Sequence, residues 1–146
     1  MTLFERIVLA TDGSKNCLSA VTEALRIGKE SGSKIYVVSV IDTRRLSSVS
    51  PEIQVAGSID RMQAEAEQIV GNVKKLGSGQ ALEPSVLYGD PVNEIITFSR
   101  ETGADLIVVG TRGKSGIERI VPGSVAEGVV REASCPVLVV KNNDQA

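Results

Sequence analysis

A glycine-rich segment in the second half of the chain carries residue types that can bind phosphate. Residues 108–116 read VVGTRGKSG, in which Gly113, Lys114 and Ser115 match the last positions of a P-loop. That motif also requires a first glycine that is separated from the second by four residues. The corresponding position is Val108, which lies inside an apolar run. The spacing therefore argues against a P-loop.

The same segment begins a longer glycine pattern. Two residues separate Gly110 from Gly113, and nine more precede Gly123 and Ser124. Glycine lets the backbone turn sharply and approach a ligand, and a helix start at Ser124 would offer unpaired N–H groups to an anion. Further positive charge comes from Arg112, Lys114 and Arg119. Phosphate binding is one interpretation; simple turns, a helix cap and solvated cations are the structural alternative.

The bulk composition restricts the class of protein. A chain of 146 residues with 42% hydrophobic and 23% charged residues has the balance of a globular domain, so we expect one domain over residues 1–146. The formal net charge of −2 gives no broad positive field. Apolar runs are far shorter than a membrane span, and the N-terminus lacks a secretory pattern. We therefore expect a cytoplasmic protein that binds neither nucleic acid nor membrane.

The chain has no histidine and two cysteines. Histidine is the commonest general base and metal ligand at neutral pH, so catalysis would depend on carboxylates, lysine, arginine and backbone groups. Cys17 and Cys135 are far apart and form no Cys-x-x-Cys pair, and we expect both to be buried as small hydrophobic residues. These features favour a binding protein over an enzyme.

Five apolar runs alternate with segments of helical period. The runs are rich in Val, Ile and Leu, as expected of strands that are covered on both faces. They lie at Arg6–Ala10, 34–40, 84–88, 105–109 and 136–140. Apolar residues recur every three or four positions in two of the intervening segments, 18–28 and 59–76, which predicts helices with one apolar stripe.

Two further helices are indicated by their termini. Asp90 followed by Pro91 is typical of a helix start, and Gly103 of a helix end. Ser124 and Glu127 have the spacing of a capping box. Strands that alternate with helices in this way predict a doubly wound α/β domain with a parallel sheet. In such sheets a ligand binds beyond the carboxyl ends of the strands, where the strand order reverses.

Residues 42–57 do not fit the alternation. Their sequence, DTRRLSSVSPEIQVAG, is polar and mixed, contains Pro51 and has no clear period. We expect a mobile loop before the second helix. It is either a solvated connection or a lid over a ligand.

The spaced pattern of Gly110, Gly113, Gly123 and Ser124 resembles the ATP-binding signature of the universal stress protein family. The segments RIVLATDGS, VVSVID, YGDPVNEIITFSRETGADLIVVG and SVAEGVVREASCPVLVV resemble other elements of that family, whereas residues 42–57 are the least similar part. The resemblance implies an α/β fold with a five-stranded parallel sheet in the order 3-2-1-4-5 and helices on both faces. This is the adenine nucleotide alpha hydrolase-like fold.

The resemblance also implies an ATP site between the first and fourth strands. Asp12 would hold the ribose hydroxyls, to which a carboxylate is a suitable acceptor; a helix cap is the alternative role for Asp12. Ala10 and Val40 would line the adenine, and Thr11 would face the glycine segment. The phosphate contacts that it implies are made by Gly110, Arg112, Gly113, Gly123, Ser124 and Val125.

By the same resemblance the protein is an ATP-binding, nucleotide-dependent regulatory module of the stress response. Mg²⁺ or Mn²⁺ would be held by the phosphates, without metal ligands from the protein, and the last strand, Val137–Val140, would pair across a homodimer interface. AMP or ADP is an alternative ligand. A slow ATP hydrolase is an alternative activity, although the glycine segment has no obvious group to position water before Glu118. A response regulator is disfavoured, because the acidic pair after the first strand is missing.

Overall fold

The computed structural model describes residues 3–46, 56–111 and 123–142. The strands are β1 (Arg6–Ala10), β2 (Lys34–Asp42), β3 (Leu82–Gly89), β4 (Leu106–Gly110) and β5 (Val137–Val140). The helices are α1 (Leu18–Ser31), α2 (Ala56–Leu76), α3 (Pro91–Thr102) and α4 (Ser124–Glu132). Two short 3₁₀ turns, Lys15–Cys17 and Thr43–Leu46, follow β1 and β2.

The strands form one parallel sheet in the order β3-β2-β1-β4-β5. β1 is the central strand, and Leu9 pairs in register with Val37 of β2 on one side and with Val108 of β4 on the other. The strand order reverses between β1 and β4, so the carboxyl ends of these two strands are neighbours. The predicted doubly wound sheet and its strand order are confirmed.

The two faces of the sheet carry separate hydrophobic cores. Successive side chains of a strand point to opposite faces, and in β1 Ile7 and Leu9 pack toward α1 and α2, while Val8 packs toward α3 and α4. All three residues are fully buried. Burial on both faces explains why the central strands read as continuous apolar runs in the sequence.

Two strands are longer than the sequence predicted. β2 continues past residue 40 to Asp42, where it pairs with Gly89 of β3. β3 begins at Leu82 and includes Pro84, which was expected to start the strand. Proline cannot donate to a neighbouring strand, and it is tolerated here because β3 lies at the edge of the sheet.

The predicted starts of α3 and α4 are confirmed, whereas the predicted capping box at Ser124 is wrong. The Asp90 side chain accepts a hydrogen bond from the Asn93 N–H at 3.1 Å, and Gly103, with φ of 70°, is the C-terminal cap of α3. In α4 the cap position is occupied by Gly123, with extended backbone angles, and Ser124 is the first helical residue. Ser124 therefore does not cap the helix.

Both ends of the predicted loop at residues 42–57 belong to regular elements. Asp42 belongs to β2, Thr43–Leu46 form a 3₁₀ turn and α2 begins at Ala56. The centre of the expected loop, residues 47–55, lies outside the described residues. The two ends of the segment 42–57 show no helical period in the sequence. A single 3₁₀ turn and the first turn of a helix are too short to show one.

The expected burial is confirmed for Cys17 but only in part for Cys135. Cys17 is 6% exposed, whereas Cys135 is half-buried beside β5. Cys135 precedes an edge strand, and a residue at the edge of a sheet has fewer neighbours to cover it. The position of β5 in the sheet, which the local sequence does not reveal, accounts for the difference.

Two helical glycines provide a test of the packing between α3 and α4. A Cβ atom at Gly128 of α4 would lie 2.7 Å from Cγ2 of Val92, whereas a Cβ at Gly71 of α2 would meet nothing within 4 Å. We expect Gly128→Ala to lower the free energy of unfolding by about 1–3 kcal/mol, because valine cannot move aside easily. Gly71→Ala should raise it by up to about 1 kcal/mol through helix propensity. Urea denaturation measures both, and a stabilised Gly128→Ala variant would contradict this account of the interface.

Candidate functional site

A cavity of about 390 Å³ opens at the carboxyl ends of β1, β2 and β4. Its volume lies in the range of small-molecule sites, roughly 300–1,000 Å³. The cavity sits at the reversal of strand order, as expected for a doubly wound sheet. Helices from both faces complete the walls, with Met62, Glu65, Ala66 and Ile69 from α2, Pro91 and Ile95 from α3, and Ser124, Val125 and Ala126 from α4.

The cavity brings together the predicted site residues that the structure describes. They are Ala10, Thr11, Asp12, Val40, Gly110, Gly123, Ser124 and Val125. The other two, Arg112 and Gly113, lie outside the described residues. Residues that are more than a hundred positions apart in the sequence therefore surround one space, while their contacts with a ligand stay a prediction.

Side chains hold the turn that follows β1. The Oδ1 atom of Asp12 accepts hydrogen bonds from the Ser14 N–H at 2.9 Å and from the Cys17 thiol at 3.2 Å. The Thr11 N–H donates to the Val38 carbonyl at 3.0 Å. Ser14, not Asp12, occupies the cap position of the following 3₁₀ turn, so the alternative role of Asp12 as a helix cap is wrong. The carboxylate braces the turn and also lines the cavity.

Cys17 lines the cavity behind Asp12. Burial raises the pKa of the Cys17 thiol, and the negative charge of Asp12 acts in the same direction. The thiol therefore keeps its proton at neutral pH and serves as a donor to Asp12.

Gly110 allows the end of β4 to approach this turn closely. A Cβ atom at Gly110 would lie 3.2 Å from the Asn16 carbonyl oxygen and 3.6 Å from the Cys17 Sγ atom. The first distance is shorter than an ordinary van der Waals contact. A side chain at position 110 would require the 3₁₀ turn Lys15–Cys17 to move by a few tenths of an ångström.

Thr111 connects β4 with β5 and with the start of α4. Its N–H donates to the Val140 carbonyl at 3.1 Å, and its carbonyl accepts from the Gly123 N–H. These bonds fix the N-terminal end of α4 at the cavity, where Ser124 and Val125 lie. The first N–H groups of a helix have no partner within the helix, so this end of the cavity can bind an anion.

Some cavity residues were missed by the sequence reasoning. The α2 wall is an example, although Met62, Ala66 and Ile69 belong to the apolar stripe that predicted the helix. An apolar stripe shows that a helix packs against other elements, but not that its middle turns line a cavity. Asp42 was also missed, because it was assigned to a loop, and in the fold it ends β2 at the cavity.

The described residues contain neither a clustered metal site nor a helix that could span a membrane. Among these residues no group of three or more His, Cys, Asp or Glu side chains is placed to hold a metal ion. No helix in residues 3–46, 56–111 or 123–142 combines the length and the apolar character of a membrane span.

The two cysteines should differ in their reaction with a thiol reagent such as iodoacetamide. Only the thiolate reacts, and burial raises the pKa of both thiols. Cys17 is 6% exposed, whereas Cys135 is half-buried. We expect Cys135 to be labelled first and Cys17 many times more slowly, with a Cys17 rate that rises as the pH increases above neutral. Peptide mass spectrometry follows each site, and a Cys135→Ala variant serves as the control. Rapid labelling of Cys17 at pH 7 would contradict the described turn.

Comparisons with known proteins agree in sequence and in fold. The model of the universal stress protein family matches residues 3–141. Universal stress protein MJ0531 of Methanocaldococcus jannaschii is 40% identical over 141 residues, which cover 95% of this chain and 83% of that relative.

Solved structures of similar proteins share the fold. Hypothetical protein MJ0577 superposes with a TM-score of 0.86 at 27% identity, over 99% of this chain and 100% of that one. A universal stress protein in complex with cAMP superposes with a TM-score of 0.69 at 26% identity, over 96% and 98% of the two chains. The match to the family model and the identity to its members show that this chain belongs to the universal stress protein family.

Proposed function

We propose that this protein is a regulatory module that binds an adenine nucleotide, and that the nucleotide is ATP. The observation that carries the proposal is the convergence of the described site residues on one cavity of about 390 Å³ at the reversal of strand order. A family member of similar fold, at 26% identity, was solved with cAMP, which is also an adenine nucleotide. Both observations support an adenosine ligand at the ends of β1 and β4.

Different walls of the cavity suit the adenine, the ribose and the phosphates of a nucleotide. Ala10 and Val40 offer apolar surface to the adenine ring. Asp12 has its Oδ1 atom engaged by the turn, so Oδ2 is the atom that would accept from a ribose hydroxyl. Ser124 and Val125, at the start of α4, would meet the phosphates with their N–H groups. The glycine at position 110 lets the ligand approach the backbone.

A divalent cation would bind through the phosphates of ATP. Asp12, Asp42 and Glu65 bring carboxylates to the cavity, but in the described part of the chain they are not grouped as a metal site. The helix start and the glycine backbone fit phosphate oxygens, which are themselves good ligands of Mg²⁺. Bound Mg²⁺ or Mn²⁺ would reduce the negative charge of the ligand, while the chain binds and orients the nucleotide.

The proposal also covers the domain organisation, the cellular location and the partners of the protein. We propose one domain over residues 1–146, since the family model covers residues 3–141. We also propose that it acts in the cytoplasm as a stress-response module without a nucleic acid or membrane partner, in keeping with its formal net charge of −2.

Replacing Asp12 tests the nucleotide site. Hydrogen bonds to a charged group contribute about 1.5–3 kcal/mol, so we expect Asp12→Ala to weaken ATP and AMP binding by about tenfold to a hundredfold. Isothermal titration calorimetry measures the affinities. Asp60→Ala is the matched control, because Asp60 is exposed on α2 and does not line the cavity.

The same samples distinguish a binder from a slow hydrolase. We expect ATP incubated with the protein to persist when the nucleotides are separated and identified by mass. Steady conversion to ADP that is lost in Asp12→Ala would replace the binding role with ATP hydrolysis. Failure of the unmodified protein to bind ATP, AMP or cAMP would refute the proposed function.

We also propose a homodimer in which two copies of β5 pair. β5 lies at one edge of the sheet and all four of its residues are half-buried. The Pro136 and Val140 carbonyls accept bonds from the β4 side. Backbone groups alternate in direction along a strand, so those of Val137 and Val139 point away from β4. An apolar edge with unpaired backbone groups is suited to pair with a second strand.

A proline at this edge should prevent the pairing. We expect Val139→Pro to remove an outward N–H, to leave the bonds between β4 and β5 in place, and to convert the dimer to a monomer. Sedimentation velocity measures the mass, and circular dichroism verifies that the variant remains folded. A monomeric unmodified protein, or a folded variant that still dimerises, would contradict the proposed interface.

A further inference from the structure

Hydrogen bonds within the turn after β1 set the direction of the Asp12 carboxylate. Asp12 Oδ1 accepts from the Ser14 N–H at 2.9 Å and from the Cys17 thiol at 3.2 Å. Thr11 Oγ1 accepts from the Gly13 N–H at 3.2 Å. Gly13 lies between Asp12 and the N–H group that holds its carboxylate. The position of the carboxylate therefore depends on the backbone of Gly13.

Gly13 packs directly against α2. Its φ of 79° lies in the left-handed region, which glycine adopts without steric cost. A Cβ atom at Gly13 would lie 2.6 Å from Cγ1, 2.9 Å from Cδ1 and 3.4 Å from Cγ2 of Ile69. These three atoms are its nearest neighbours, and all belong to one side chain. Ile69 thus occupies the space in which a side chain of residue 13 would lie.

The helix supports Ile69 from behind. Val70 and Val73, on the same part of α2, are buried in the core that also contains Ile7 and Leu9 of β1. A β-branched side chain in a helix has one strongly preferred rotamer. Ile69 therefore presents a fixed surface to the turn, and the helix and the turn are anchored in the same core.

Movement of the turn would affect one part of a bound nucleotide more than the others. A hydrogen bond weakens steeply when its length and angle depart from the optimum, and bonds to a charged group are the stronger ones. In the proposed site Asp12 Oδ2 accepts from the ribose hydroxyls, whereas the adenine is assigned to Ala10 and Val40. A shift of Gly13 would therefore weaken binding mainly through the ribose.

We infer that Ile69 is a positioning residue for Asp12, which it keeps in place for the ribose hydroxyls by packing on Gly13. The inference rests on the proposed nucleotide binding and adds to it a residue that sets the preference for a ribose with free hydroxyls. Ile69 also lines the cavity, but its side chain has no hydrogen-bonding group. Its effect on that preference is therefore exerted through the turn.

The test is the ratio of the affinity for ATP to the affinity for dideoxy-ATP, which lacks both ribose hydroxyls. We expect Ile69→Ala to lower this ratio by about threefold to tenfold, a part of the contribution of a hydrogen bond to a charged group. Ile69→Val keeps both carbon branches at Cβ and should preserve the ratio. Met62→Ala is the matched control from the same cavity wall, and it should change both affinities by the same factor. Isothermal titration calorimetry measures the affinities.

A double-mutant cycle shows whether Ile69 acts through Asp12. Asp12→Ala should itself lower the ratio, and adding Ile69→Ala to it should lower the ratio no further. Circular dichroism verifies that each variant is folded.

Gly13→Ala tests the same contact from the side of the turn, and it replaces Ile69→Ala if that variant does not fold. It should also lower the ratio, because the new Cβ atom and Ile69 cannot both keep their places.

The outcomes separate this inference from the proposed function. If the unmodified protein binds neither ligand, both are wrong. If it binds ATP and dideoxy-ATP equally, nucleotide binding stands, while the ribose contact of Asp12 and this inference are wrong. If Ile69→Ala weakens both ligands by the same factor, Ile69 is only a part of the cavity wall and the inference alone is wrong. An unchanged ratio in folded Gly13→Ala, or a further fall of the ratio in the double variant, would also overturn it.

Discussion

The parallel pairing of β1 with β4 is the constraint on which the rest of the structure depends. Leu9 and Val108 pair in register, but the helix after β1 packs on one face of the sheet and the helix after β4 packs on the other. The connections diverge at the ends of the two strands and leave a space between them. The cavity is therefore a consequence of topology, and the local sequence determines only what lines it.

Close backbone approach determines the shape of that space. The missing side chain at Gly110 brings the end of β4 against Asn16 and Cys17, and these residues belong to the turn that Asp12 braces. One glycine thus places a strand end, a buried thiol and a carboxylate within a few ångströms of one another. The polar groups of the site are arranged by protein contacts before any ligand binds, which reduces the entropy that binding would cost.

The sequence predicts features that repeat along the chain better than features that depend on neighbours in space. The central strands are covered on both faces, so their apolar runs were recognisable. The resemblance to universal stress proteins implied the described site residues that line the cavity. Local sequence could not decide between Gly123 and Ser124 as the cap of α4, because both residue types suit the position and backbone angles decide it. Likewise, Asp42 and Asp90 become neighbours only because β2 pairs with β3.

The hydrogen bond between Thr111 and Gly123 has a consequence for substitutions in the glycine-rich segment. It fixes positions 111 and 123 at adjacent points through backbone atoms alone. The bond therefore does not depend on the side chains carried at positions 112–122. Substitutions that keep the spacing of the glycines can change the charge of the segment while the start of α4 keeps its place at the cavity.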